Sequence, residues 1–156
     1  MKYSRKGVAL VLVLLLVSAL FILLAGFLSK KVSERKSVQL ELQTLQAREL
    51  AKSGLETVRV RLRNDGNFPP SQPDINREPF SFNEVVLDID QLSPVGSYTA
   101  ELDQRWIEPP YAMLRVRVTG QVGTDSNPVR HRLTADFSMS PGAKGDLVNL
   151  SEDGDF

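Results

Sequence analysis

Residues 8–28 read VALVLVLLLVSALFILLAGFL, an apolar run with no charge in it, relieved only by Ser18 and Gly26. A run of about twenty such residues, rising about 1.5 Å per residue as a helix, spans the ~30 Å hydrocarbon core of a bilayer. Leu, Ile, Phe and Val each favour insertion by about 0.3–0.6 kcal/mol, so the summed preference reaches several kcal/mol. Lys2, Arg5 and Lys6 precede the run, and Lys30, Lys31, Arg35 and Lys36 follow it. The run therefore predicts a membrane-spanning helix held at both interfaces. A cleavable secretory signal is the competing reading, but its apolar region is shorter and ends at a small-x-small site, which the residues around Leu23-Leu24-Ala25 match poorly. A helix buried in a soluble core is disfavoured, because a chain of this size rarely hides a helix that is apolar on every side. Basic residues flank both ends, so the positive-inside bias leaves the orientation open.

Working outward, the 156 residues leave enough chain beyond the run for one modest domain. Cysteine is absent, which removes disulfides, thiolate metal sites and an acylated lipoprotein cysteine. Lys and Arg balance Asp and Glu at nineteen each. Losing the first seven residues would take away Lys2, Arg5 and Lys6 and leave the rest mildly acidic. That balance argues against a dedicated nucleic-acid binder.

The basic leader MKYSRKG (residues 1–7) places a glycine at the junction between charged head and apolar helix. Here the chain resembles the type IV pilin and type II secretion pseudopilin superfamily. RKG followed by VALVLVLLL is most similar to PilX-type minor pilins and GspK-type minor pseudopilins. The resemblance implies that a prepilin peptidase cuts between Gly7 and Val8 and methylates the new amine at Val8. It also implies filament packing through Leu12 and Leu16. The common pilin pattern has Phe at mature position one and Glu at position five, where this chain has Val8 and Leu12. A carboxylate in hydrocarbon is costly unless it finds a partner, and in major pilins that Glu is thought to pair with the amine of a neighbouring subunit. Leu12 offers no such pairing, which suits an initiating or tip subunit. The partners implied are prepilin peptidase, other pilins or pseudopilins, an assembly platform and inner-membrane lipid, with the head in the periplasm or outside the cell. The alternatives are a single-pass anchored periplasmic interaction domain that does not polymerise, and a DNA-capturing minor pilin.

After Leu28 the helix is expected to continue. Residues 29–63 contain no proline, only Gly54, and many Lys, Glu, Gln, Arg, Leu and Ala, which are good helix formers. Leu40, Ala47, Ala51, Gly54, Val58 and Leu62 recur on one face, with Val38, Leu42 and Leu45 widening it. Glu34, Arg48, Lys52, Glu56, Arg59 and Arg63 take the other. The small residues let a sheet approach closely, so Ala47, Ala51, Gly54, Leu55 and Val58 are the candidate helix–sheet contacts. ARELAKSGLETVRVRL resembles the core-facing helix of pilin-like proteins; the alternative is an ordinary amphipathic helix. Asn64-Asp65-Gly66-Asn67 ends it, with Gly66 expected as a left-handed cap.

Residues 64–83 contain the proline-rich stretch FPPSQPDINR and read as a loop. The head, residues 84–139, shows strand signals at Glu84–Asp90, Ser97–Arg105, Ala112–Gly120 and Val129–Met139, with apolar residues alternating against polar ones. Trp106 is expected as a core or edge anchor. Short connections imply an antiparallel meander. The fold class is α+β and pilin-like: a long N-terminal helix, transmembrane in its first half, packed against three or four antiparallel strands. Residues 140–156 are glycine- and acid-rich and are expected to be largely disordered, a docked or partner-binding strand being the alternative.

Little in the chain suggests catalysis, and no enzyme activity or cofactor is expected. His131, the one histidine, lies on the apolar phase of a strand with no nucleophile or orienting acid spaced around it. A satisfied core imidazole is the simpler reading. Asp88 and Asp90 would share a strand face and offer oxygen ligands to calcium, but the spacing matches no loop motif. Arg115, Arg117, Arg130 and Arg132 would form an exposed basic patch, balanced by Glu101 and Asp103. DNA contact is the alternative use, and no aromatic stacking platform accompanies the patch.

Overall fold

A computed structural model describes residues 5–70, 79–88, 90, 93–124 and 127–155. The order of elements is one helix, α1 (Arg5–Asn64), then strands β1 (Phe80–Leu87), β2 (Pro94–Asp103), β3 (Met113–Thr124), β4 (Asn127–Ser138) and β5 (Leu147–Asp155). The chain divides into two compact units, Met1–Leu40 and Glu41–Phe156. The first is the apolar part of α1 and its polar continuation. It contains a window long and apolar enough to cross a membrane, none of it buried within the fold.

The second unit is the α+β head. The remainder of α1 packs against a five-stranded antiparallel sheet of order β1-β2-β3-β4-β5, a meander in which every strand pairs with its neighbours in sequence. The alternation of strands follows from the pleat, which sends successive side chains to opposite faces. Tyr98, Ala100 and Leu102 from β2, Leu114, Val116 and Val118 from β3, and Leu133, Ala135 and Phe137 from β4 are buried on the helix side. Against them α1 sets Ala51, Leu55, Val58 and Leu62. A smaller cluster of Ala47, Leu50 and Val122 extends that core. Phe68, just past the helix, joins it edge-on to Phe80 and Phe82 at 6.3 and 6.4 Å.

Several elements differ from their sequence-based expectation. Residues 147–155 form β5 rather than disordered chain, so the sheet has five strands. The hairpin into β5 is built by Gly142 and Gly145, both at positive φ, and closed by Gly145 N donating to Ser138 O at 2.9 Å. β1 begins at Phe80 and ends at Leu87, so Asp88 and Asp90 fall in the following turn, where Asp88 N donates to Ser93 O at 2.9 Å. They do not share a strand face. Gly66 is not among the positive-φ glycines, and the helix ends without a left-handed cap there. Lys144 instead donates to the carbonyl oxygens of Asp65 and Phe68 at 3.3 and 3.2 Å, placing a cation at the negative end of the helix. Of the predicted helix face, Val38, Leu40, Leu42 and Leu45 are more than half exposed, whereas Leu50 is buried. Trp106 is on the β2–β3 connection, 39% exposed. Residues 71–78 of the expected loop lie outside the described residues.

Candidate functional site

The first constellation is the apolar run itself. Gly7 and Val8 lie in the first turns of α1. Leu12 and Leu16, four residues apart and so on one helix face, are 56% and 68% exposed, and the leucines and valines around them are exposed on every side. Ser18 Oγ donates to Leu15 O at 2.9 Å, so the hydroxyl is satisfied within the helix, as hydrocarbon surroundings require. At the C-terminal end of the run Lys31 lies 6.0 Å from the Phe27 ring centroid and 3.1 Å from Glu34, which marks the change from apolar to charged surface. The arrangement suits a membrane anchor: the backbone is helical throughout, the side chains of the run carry no charge, and the one hydroxyl, Ser18, is satisfied within the helix.

The second constellation is the seam between the remainder of α1 and the sheet. Ala47, Ala51, Leu55 and Val58 are buried there, and Gly54 with them. A Cβ on Gly54 would stand 2.5 Å from the Tyr98 ring and 2.7 Å from Val118 Cγ1. A second close approach is at Gly120, in mid-β3. A Cβ there would overlap the carbonyl oxygen of Ala47 and stand 2.7 Å from Ala51 N. The two backbones therefore meet where both chains are smallest. In the sequence Gly120 interrupts a valine- and threonine-rich strand, a signal of close backbone approach. The alternation of residues 112–120 ends the expected strand at Gly120, whereas β3 runs on to Thr124.

Polar groups ring this seam. Glu84, on the inner face of β1, binds both the Arg61 guanidinium and the Tyr98 hydroxyl, and Thr57 Oγ1 lies 3.3 Å from that hydroxyl. Burial, then the bond to Glu84, raise the Tyr98 pKa above its usual value. Arg61 also stacks over Phe82 at 4.6 Å. At the opposite edge, Arg48 on α1 reaches Glu152 on β5 (Nε–Oε1 2.6 Å), and His131 Nε2 lies 2.8 Å from that same oxygen. His131 is 4% exposed and faces the helix side of β4. The bond from Arg48 holds the Glu152 carboxyl below the usual range. Arg63 and Asp146 meet at 2.7 Å, and Thr134 donates to Asp153 at 2.9 Å. β5 is thus fastened mainly by polar contacts, a set of partners invisible to a reading in which the tail is unstructured.

The outer face of the sheet carries the four arginines. Register places Arg117 opposite Glu101 and Thr134, and Arg115 opposite Asp103 and Asp136. Arg115 donates to both carboxylate oxygens of Asp136 at 2.8 and 3.2 Å. Arg130 donates to Gln121 at 3.0 Å, and Arg132 to Thr119 at 3.3 Å. Arg105 holds Asp103 through two bonds, which lower the Asp103 pKa. Acids and amides are interleaved with the cations rather than leaving a field of one sign. Among the described residues no group of three or more His, Asp and Glu side chains is disposed to hold a metal ion.

Compared with known proteins, the chain matches no family model, no curated protein and no solved structure.

Proposed function

We propose that the chain is a minor pilin or pseudopilin, a structural subunit that initiates or tips a type IV pilus or a type II secretion pseudopilus. One observation carries the reading. A charge-free apolar segment, none of it buried, starts beside Gly7 and belongs to the same helix, α1, that supplies the helical side of the antiparallel meander's core. An ordinary anchor needs no such continuity, since a flexible linker would serve it as well. A subunit that leaves the bilayer to stack with others requires a stiff, apolar rod whose contacts with lipid can be replaced by contacts with other helices. Such packing depends on shape, because lipid tails are as apolar as leucine. Leu12 and Leu16 are the contacts offered to neighbouring helices, and Gly7–Val8 is the bond offered to the peptidase. The role is structural and needs no catalytic group.

Mass spectrometry of the mature amino terminus tests this reading. Recovery of a chain that begins with N-methylated Val8 supports it. A chain that keeps Met1 while anchored in the membrane overturns it in favour of a non-polymerising anchored domain.

A further inference from the structure

The β2–β3 connection, residues 104–112, carries two exposed aromatic rings that the assembly role leaves unused. Trp106 and Tyr111 are 39% and 56% exposed and meet edge to face, with ring centres 5.3 Å apart and planes at 86°. Their two faces form a corner. The corner closes a cleft of about 200 Å³ whose remaining walls are Met113, Arg115 and Asp136. The connection is braced rather than loose: Met113 N donates to Trp106 O and Met139 N to Ala112 O, each at 2.8 Å. Ala112 sits at φ 47°, a left-handed conformation that a side chain adopts at a cost.

We propose that this corner is a saccharide subsite that takes one pyranose ring, an N-acetylhexosamine being the class that fits best. The cleft has room for one ring and is too small for a helix or a strand. Aromatic faces bind the C–H face of a sugar, and a rigid aromatic gives contact area at little entropic cost. The charges in the wall are matched, since Arg115 and Asp136 neutralise each other through two hydrogen bonds. A phosphate or nucleic acid therefore meets no net positive charge. An aliphatic side chain from a protein partner would bury the remaining guanidinium N–H groups without acceptors, which is costly. A neutral ligand with hydroxyls and an amide meets every requirement. The sugar's C–H face and acetyl methyl meet the apolar walls of Trp106, Tyr111 and Met113, with the Arg115–Asp136 pair beside them. This inference stands apart from the filament reading, because the subsite serves an anchored head equally well.

Trp106 is the only tryptophan in the chain, so its emission reports on the site without labelling. The full chain, held in a zwitterionic detergent with no sugar headgroup, is titrated with tri-N-acetylchitotriose. The expected result is a saturable change in emission with a Kd on the order of 1 mM or tighter. Tyr111→Ala, at an exposed position, should weaken it about tenfold or more while leaving the far-ultraviolet circular dichroism unchanged. Arg117→Ala, outside the cleft, should leave it intact. A linear response, or an affinity that Tyr111→Ala does not alter, overturns the proposal. So does saturation by an oligoproline peptide in place of the sugar, which would make the corner a docking site for an extended peptide.

Discussion

Single residues decide how closely the helix of the head lies on its sheet. At Gly120 a methyl group would meet the backbone of Ala47 and Ala51, which cannot move as a side-chain tip can. Gly120→Ala should therefore cost about 3 kcal/mol, the upper end of overpacking penalties, read as a lowered denaturation midpoint of the chain in detergent. Gly54→Ala meets the Tyr98 ring and Val118 instead. Those side chains can shift, so the loss should be smaller than at Gly120. Glu152 makes a prediction of the opposite kind, in pH rather than packing. Its folded pKa lies below the ordinary 4.5, chiefly because of the bond from Arg48. The stability this contributes is complete above the unfolded value and is lost as pH falls through the lowered folded one. Glu152→Gln should accordingly flatten the fall in melting temperature between about pH 6 and about pH 3, and an unchanged slope would remove the clasp as its cause.

Among the elements, β5 is the one whose attachment is weakest by construction. Leu147, Val148 and Leu150 are each about half exposed, at 45%, 57% and 52%, so the strand buries little apolar surface. Its hold comes from the ladder to β4 and from Arg48–Glu152, Arg63–Asp146 and Thr134–Asp153. Exposed ion pairs contribute only about 0–1 kcal/mol each. Hydrogen–deuterium exchange should find the β5 amides opening well before those of β3, which is paired on both sides and buries Leu114, Val116 and Val118. Equal protection of the two strands would mean that β5 belongs to the same cooperative unit as the core. Among the described residues the sheet ends in β1 and β5, and the charged Glu152 and Asp153 on β5 disfavour casual strand addition there.

For the whole molecule, what matters is that one helix changes character along its length. Its first part is apolar on every side, whereas its later part mixes charged residues with apolar ones, of which the sheet covers Ala47, Leu50, Ala51, Leu55, Val58 and Leu62. The chain should stay in the membrane pellet after alkaline carbonate extraction, as a protein held by an inserted helix does. Gly7→Val should leave it full-length and exclude it from fibres. Finding the uncleaved variant inside fibres would separate processing from assembly and end the pilin reading. The outer-face arginines enter at this scale too. With Arg115 committed to Asp136, and Arg117 set opposite Glu101, the head offers no concentrated positive field, so DNA binding should be weak and steeply salt-dependent.

The sequence by itself determined what local periodicity can encode: an unbroken apolar run long enough to span a bilayer, a helix free of breakers, and alternating strands ordered as a meander. These follow from the two backbone periods, 3.6 and 2, and from the absence of proline in residues 8–63. Tertiary structure decided the rest. Leu40, Leu42 and Leu45 carry the same periodic signal as Ala47 and Ala51, yet they stay exposed, because burial depends on where the sheet ends. The tail became β5 because the open edge of β4 offered it hydrogen-bond partners in residues 131–137. No composition of residues 140–156 could announce a partner so placed. The same holds for the Trp106–Tyr111 corner and for the meeting of Gly120 with Ala47, each made by residues that only the fold brings together.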